Sequence, residues 1–323
     1  MKQLLVGGLA LMIAACAAPA GPYPAQHPFG GGWLLFSPED LAAREAALAT
    51  PGCPPAGWDR ARLDALKAAK FDIANEAERQ TLATAIMACL ASPDPAVRDG
   101  IAYEALTHML RERKLKDDTK RALLVDLTAR LRAPEGLGFE QPFAALALSE
   151  VARSDRVEAF LSEDELIKLL VYAQHWFINV SDYRGFDARE GWRHGVAHGA
   201  DLLMQLALNP RIDAEGLRVI VSGVGVQVAP KGHAYVFGES ERLARPVLFA
   251  AARGALDEAE WTEWLMVMAT PPAGVEPNGE TWLAWRHNTA AFLQALYVSV
   301  TLGGDKADDV MLPGLEAALK EMP

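Results

Sequence analysis

The chain has 323 residues, a formal net charge of −11 at pH 7, and a composition that is 51% hydrophobic. This acidity excludes broad electrostatic binding to nucleic acid, which requires a basic surface, and it disfavours wide contact with anionic lipid. The length is sufficient for a substantial hydrophobic core.

The first 15 residues resemble an export signal. Residues 4–14 form an apolar run that is too short to span a bilayer, and small residues precede Cys16. A cysteine at this position resembles a bacterial lipobox, in which the thiol is acylated by a palmitate-type chain and becomes the mature N-terminus. The alternative is an ordinary signal that is cleaved near residues 18–20. We expect export in both cases, and a lipid on Cys16 would hold the protein on a membrane surface.

Residues 16–36 are rich in alanine, proline and glycine, a composition typical of a tether without a core of its own. The sequence therefore predicts a lipoprotein signal peptide at 1–15, a tether at 16–36 and a single domain at 37–323. Ala17, rather than aspartate, follows the cysteine. By resemblance to Gram-negative lipoproteins, this implies a cell-envelope lipoprotein on the periplasmic face of the outer membrane.

Nearly all of the chain after Ser37 shows the spacing of helices that bury one face. The predicted helices are 41–48, 59–70, 75–91, 95–113, 117–132, 141–153, 163–178, 191–207, 213–222, 239–256, 258–269, 280–302 and 312–321. One β-branched run, at 219–228, is ambiguous. It lacks the preceding strand and the full glycine pattern of a dinucleotide site.

Helices of this length, joined by short polar turns, predict helical hairpins that stack side by side. The segment D-P-A-V-R at 94–98 resembles the start of the second helix of a HEAT repeat, although no strict repeat period is visible. We therefore predict an all-α fold of stacked helical hairpins, as an α/α superhelix or HEAT-like solenoid with a concave face.

Two cysteines remain in the predicted domain, Cys53 and Cys89. Outside the cytoplasm, where disulfides persist, they are candidates for a disulfide. The alternative is one thiol in a loop and one in the core.

The polar residues of greatest interest lie in the predicted helix 191–207. His194, His198 and Asp201 share one side of that helix, because each residue turns the chain by about 100°. Two histidines at i and i+4 with a carboxylate one turn later suit a divalent metal ion or an acid/base relay. The alternatives are a binding site without chemistry and a buried polar cluster. Zinc proteases with this spacing carry glutamate after the first histidine, whereas this chain carries Gly195.

Several segments together resemble a bacterial family known as domain of unknown function 2785. The residues that carry the resemblance are Tyr183-Arg184-Gly185-Phe186, Gly191-Trp192-Arg193-His194, His198, residues 200–203, residues 238–244, Asn288 and residues 292–297. The resemblance covers roughly residues 75–302. At Gln294 the family pattern has arginine, so no role is carried over to that position. The resemblance implies an all-helical, repeat-like fold and no known activity.

Four further residues are candidates for binding near the histidines. Arg184 could reach Asp201 or a bound carboxylate or phosphate, and the alternative is a bridge that orders its loop. Glu241 and Arg242 could complete a polar cluster, or could form an ion pair between helices. Asn288 lies early in a long predicted helix and could line the same concavity.

Three hypotheses follow for function. The first is a lipid-anchored binding or scaffold module for an envelope protein, a peptide or a small ligand. The second is a metal-dependent hydrolase, or another enzyme, that uses His194, His198 and Asp201. The third is a purely structural role for those three residues. The sequence identifies no cofactor beyond a possible divalent metal. A buried trio favours the structural hypothesis, and an exposed trio with a pocket favours the other two.

Overall fold

The computed structural model describes residues 50–323, which lie within one compact and almost entirely α-helical unit. The predicted signal peptide, the lipidation site Cys16, the tether and the helix at 41–48 lie outside these residues. In the described part of the chain, no helix is both long and apolar enough to cross a membrane.

The elements follow one another as hairpins of helices with one small β-hairpin. The helices are α1 Arg60–Ala68, α2 Glu76–Ala85, α3 Pro95–Val97, α4 Glu104–Arg111, α5 Asp117–Arg132, α6 Glu140–Val157, α7 Glu163–Ile178, α8 Gly195–Ala207, α9 Ala214–Gln227, α10 Glu239–Ala252, α11 Glu258–Ala269, α12 Glu280–Gly303 and α13 Leu312–Glu321. Strands β1 Phe186–Asp187 and β2 Gly191–Trp192 pair antiparallel. The ambiguous run at 219–228 begins inside α9 and extends one residue beyond it, so it is helical rather than a strand.

Polar residues at the helix starts explain why many predicted bounds agree with the structure. Ser162 and Glu165 form a reciprocal capping box at the start of α7, and Asp257 and Glu260 do the same for α11. Each box satisfies two backbone amides that the first helical turn leaves without partners. Helices α7 and α11 therefore begin where the sequence predicts.

The helices stack in two layers. Helices α4, α6, α8, α10 and α12 form one layer in which each packs against the next, and the intervening helices cover them on one side. Successive pairs such as α5 with α6 and α9 with α10 pack as hairpins. This arrangement confirms the predicted all-α fold of stacked helical hairpins.

Helix α8 lies at the centre of the stack and is buried over most of its length. Its Gly199 has the ring of Phe177 on α7 so close that a Cβ atom would collide with it. A glycine inside a helix costs roughly 1 kcal/mol relative to alanine, and at this position the close approach of α7 requires it.

Two predicted helices are interrupted. The predicted helix 95–113 contains a π-helical segment, Arg98–Tyr103, between α3 and α4. The predicted helix 191–207 begins four residues later than expected, at Gly195, because Gly191 and Trp192 belong to β2. Arg98 is fully buried at the start of the π-helical segment.

The structure joins Cys53 and Cys89 in a disulfide, with Cα atoms 5.0 Å apart and 36 residues of sequence separation. Cys53 lies in the loop before α1, and Cys89 lies in the 3-10 helix Ile86–Ala91 that follows α2. The bond therefore ties the start of the described chain to the 3-10 helix that follows α2.

Candidate functional site

His194 connects the β-hairpin to α8 in an unusual backbone conformation. Its φ is 55° and its ψ is 39°, in the left-handed region that non-glycine residues seldom adopt. The hairpin holds it there, because the amides of Arg193 and His194 donate to the carbonyls of Gly185 (2.9 Å) and Arg184 (3.0 Å). Backbone strain of this kind persists where surrounding structure fixes it, and it clusters at functional sites.

The imidazole of His194 is 7% exposed and lies between an aromatic ring and a carboxylate. It stacks on Trp192 with ring centroids 4.7 Å apart and an interplanar angle of 22°. Its Nε2 lies 3.4 Å from Oε1 of Glu239, which is long for a hydrogen bond, and it has no better partner among the described residues. Burial acts to raise the pKa of Glu239, but the contacts with His194 and with backbone amides outweigh it, so that pKa is lowered.

His198 is a neutral histidine inside the helix stack. It is 7% exposed, and its ring meets the edge of Phe143 with centroids 5.0 Å apart. Nδ1 lies 3.2 Å from the carbonyl oxygen of Pro142, so we assign the ring hydrogen to Nδ1. Burial, followed by the electrostatic effects of His194 and of the Arg242 guanidinium, lowers the pKa of His198 well below its usual value.

Asp201 forms ion pairs with α10 and has no hydrogen bond to either histidine. It is 8% exposed, it accepts a hydrogen bond from Arg242, and its Oδ1 lies 3.7 Å from Nη1 of Arg245. Burial raises the pKa of the Asp201 carboxyl, against the opposing effect of these two arginines. The pairing ties α8 to α10.

The predicted metal site of His194, His198 and Asp201 is not formed. Within residues 50–323, no group of three or more His, Cys, Asp and Glu side chains is arranged to hold a metal ion. The prediction assumed that both histidines lie on one helix, whereas His194 precedes α8 and its ring stands 5.9 Å from that of His198. The predicted acid/base relay fails for a related reason, because Asp201 is bonded to Arg242 rather than to an imidazole.

The other predicted binding residues are distributed. Arg242 joins Asp201 as described, but Glu241 beside it is exposed. Arg184 bonds Asp182 through Nε at 2.8 Å and orders its own loop. Asn288 is fully buried, and its side chain holds the loop before α10 by accepting from the amide of Tyr235 (2.7 Å) and donating to the carbonyl of residue 233 (2.8 Å). Arg184, Glu241 and Asn288 therefore do not converge with the histidines.

Two buried charged residues near the site are not among the predicted site residues. Glu239 opens α10 beneath the ring of His194, and only its place in the motif at 238–244 could have indicated it. The guanidinium of Arg98 lies over the rings of Phe139 and Phe143 and donates to the carbonyl of Glu190 at 2.8 Å, which anchors the β-hairpin. The sequence shows that Arg98 lies in the HEAT-like segment, but it does not indicate that the side chain is buried.

An exposed aromatic patch covers the buried His194. We define the patch as Phe186, Trp192 and Phe237. Phe186 is 45% exposed and Phe237 is 40% exposed. The Trp192 ring centroid lies 5.0 Å from that of Phe186 and 6.0 Å from that of Phe237. The ring of Phe237 lies against Gly185 so closely that a Cβ atom there would collide with it.

A family model described as "Protein of unknown function (DUF2785)" matches residues 134–298, slightly more than half of the chain. The chain belongs to this family. The match contains the β-hairpin, α8, α10 and the aromatic patch, and it begins later than the resemblance predicted from the sequence, near residue 75. Neither a curated protein nor a solved structure matches the chain significantly.

Proposed function

We propose that this member of the family is a helical binding module of the cell envelope, tethered to a membrane by a lipid on Cys16, and that its aromatic patch binds a basic peptide segment of an envelope protein. The observation that carries the proposal is the exposure of Phe186 and Phe237 on a rigid base. Clustered aromatic side chains that remain exposed are typical of interaction sites, because rigid rings bury much area at little entropic cost.

The base beneath the patch is rigid because buried polar groups fix it. The hairpin is bonded to Arg98, the ring of His194 packs under Trp192, and Asp201 ties α8 to α10. The buried trio therefore has a structural role in this proposal, and binding takes place on the surface above it. The hydrolase hypothesis requires an open groove around the trio. His194, His198 and Asp201 are each less than 10% exposed, which speaks against such a groove.

Charge favours a basic partner. The chain carries a formal net charge of −11, which attracts cations over the whole surface, although at the hairpin turn Asp187 is paired with Arg189 and Glu190 with Arg193. Aromatic faces also attract lysine and arginine side chains, by about 0.5–1 kcal/mol at exposed sites. A segment in which cationic and apolar residues alternate would use both features.

The binding proposal is tested by selecting peptides from a random displayed library on the purified Cys16→Ser chain. We expect selected peptides to combine lysine or arginine with aromatic or aliphatic residues, and we expect Phe186→Ser or Phe237→Ser to weaken their binding about tenfold or more. Phe249→Ser is the matched control, because Phe249 is 36% exposed on α10 outside the patch. Peptides that bind both patch variants at full strength, or a library that yields no binder, would contradict the proposal.

The anchor is tested separately in a bacterial host. We expect the wild-type chain to incorporate labelled palmitate and to fractionate with membranes, and the Cys16→Ser chain to do neither. A wild-type chain without label, recovered in the soluble envelope fraction, would replace the lipid anchor with an ordinary cleaved signal.

A further inference from the structure

A second surface, distant in sequence from the aromatic patch, is a cationic cleft. It lies where the end of α4, the start of α5 and the end of α6 meet, and it has a volume of about 320 Å³. Its charged lining residues are Arg111, Arg113, Lys120, Arg153, Asp117 and Glu158. The lining therefore holds two more cations than carboxylates, in a chain whose net charge is −11. The volume is in the range of small-molecule sites.

Three of the four cations have a carboxylate partner. Nε of Arg111 donates to the buried Glu150 at 2.8 Å, which fixes the orientation of its guanidinium. Nζ of Lys120 lies 2.7 Å from Asp117 and also over the ring of Phe160 at 4.1 Å. Arg113 lies 3.8 Å from Glu158.

Arg153 is the exception. No carboxylate of the described residues lies within ion-pair distance of it. Arg156, one turn later on α6, donates to the neutral amide oxygen of Gln205 at 3.2 Å. Burial, followed by the charge of Arg153, lowers the pKa of Arg156. Behind the lining, the positive charge of Arg156 offsets the negative charge of Glu150. The lining therefore keeps its surplus of two positive charges when these two neighbours are counted.

We propose that this cleft binds the phosphoryl group of a phosphate monoester, with Arg153 as its principal ligand. A phosphate monoester carries up to two negative charges, which matches the surplus in the lining, whereas one arginine would suffice for a single carboxylate. The planar guanidinium presents paired donors that suit phosphate oxygens. Ser154 and the apolar side chains of Leu110, Leu115 and Val157 complete the lining, and the apolar ones provide contact for the substituent of the ester.

The test is calorimetric titration of the full Cys16→Ser chain with phenyl phosphate and with inorganic phosphate. We expect both to bind, and we expect Arg153→Gln to weaken binding of phenyl phosphate about tenfold or more, because a charge-assisted hydrogen bond is lost. Arg153→Lys should recover part of the affinity, since it keeps the charge but not the paired donors. Arg189→Gln removes the same charge from the exposed hairpin turn and should leave binding unchanged.

Several results would overturn the proposal. Failure of both phosphates to bind the wild-type chain would do so. If Arg153→Gln and Arg189→Gln weakened binding equally, the loss would reflect the net charge of the chain and not a ligand role of Arg153. If acetate bound as tightly as phosphate, the cleft would have no preference for phosphoryl groups. Thermal melting of each variant shows whether it is folded.

The source of the phosphoryl group is distinguished by competition. Vesicles of phosphatidylcholine with phosphatidic acid are compared with vesicles of phosphatidylcholine alone. Displacement of phenyl phosphate by the first kind only would identify a lipid headgroup, and absence of displacement would identify a soluble phosphate ester. The Cys16→Ser chain is required because a lipid anchor would bind both kinds of vesicle.

Discussion

His194 shows how a single residue can reverse an ordinary substitution rule. At most helical positions glycine is less stable than alanine by roughly 1 kcal/mol. At φ 55° the order should be inverted, because alanine in the left-handed region costs about 1–2 kcal/mol and glycine does not. Both substitutions lose the same stacking on Trp192. The difference between their free energies of unfolding therefore reports the cost of the backbone conformation.

We therefore expect His194→Gly to be more stable than His194→Ala by about 1 kcal/mol in denaturant unfolding. The control is Ala122→Gly on the exposed face of α5, which should destabilise by a similar amount. If His194→Ala were the more stable variant, the left-handed conformation would be wrong.

His198 should make stability depend on pH. Its pKa in the folded protein lies well below 6.5, because burial disfavours the charged ring, whereas the unfolded chain takes up a proton near 6.5. Below that pH the unfolded state therefore binds more protons than the folded state. Stability is complete above pH 6.5 and is lost as the pH falls, by up to about 1.4 kcal/mol per pH unit.

The measurement compares unfolding free energies of wild type and His198→Asn between pH 7.5 and about pH 5. Asparagine has a side-chain amide donor near the place of Nδ1 but does not titrate. We expect the wild type to lose more stability than the variant over this range. Parallel curves for the two proteins would show that His198 is not protonated preferentially in the unfolded chain.

At the level of elements, the periodicity of the sequence predicts the bounds of several helices well, and at α7 and α11 capping residues agree with it. The predicted helices 117–132, 163–178, 258–269 and 312–321 have the bounds of α5, α7, α11 and α13. At the central segment the two signals conflict. Trp192 continues the apolar period of α8 by coincidence, although its ring packs on Phe186 across the hairpin. A strand of two residues has no periodicity to recognise, so the predicted helix 191–207 begins too early.

The candidate site is predicted from the sequence only in part. The sequence located the segment that holds His194, His198 and Asp201, and it left open the buried polar cluster that the structure shows. It could not place Glu239 or the aromatic patch, because these depend on how α10 and its preceding loop pack against the hairpin. Such contacts join residues more than 40 positions apart and leave no local pattern.

The disulfide should stabilise the folded chain, because it closes a loop between Cys53 and Cys89. A bond between Cys53 and Cys89 restricts the unfolded chain over a sequence separation of 36 residues. In the chain-entropy treatment, a loop of this size contributes about 3–4 kcal/mol. We expect a reducing agent to lower the free energy of unfolding by about that amount.

The control is Cys53→Ser, whose stability should not respond to the reducing agent. Thiol titration establishes that the wild-type bond has been reduced. An unchanged wild-type unfolding curve after complete reduction would contradict the prediction.

At the level of the whole molecule, the region that defines the family is smaller than the folding unit. The matched residues end at 298, whereas α12 continues to Gly303 and α13 packs against α11. This packing is close, since a Cβ at Gly314 would lie 2.8 Å from Cα of Thr262. At the other end the match omits α5, which covers α6.

We therefore expect a fragment of residues 134–298 to unfold at a lower temperature and less cooperatively than residues 50–323, because two buried helix faces become exposed to water. Differential scanning calorimetry of both fragments measures this. Equal melting temperatures would show that the flanking helices are dispensable for the fold.

The collision that a side chain at Gly185 would cause with the ring of Phe237 also has an evolutionary consequence. The two positions are 52 residues apart in sequence but share one volume, so a substitution at either one changes what the other tolerates. Among related sequences we expect them to co-vary, with glycine at 185 wherever 237 is aromatic and larger residues at 185 only where that ring is absent. An alignment of the family can therefore identify which members retain the patch.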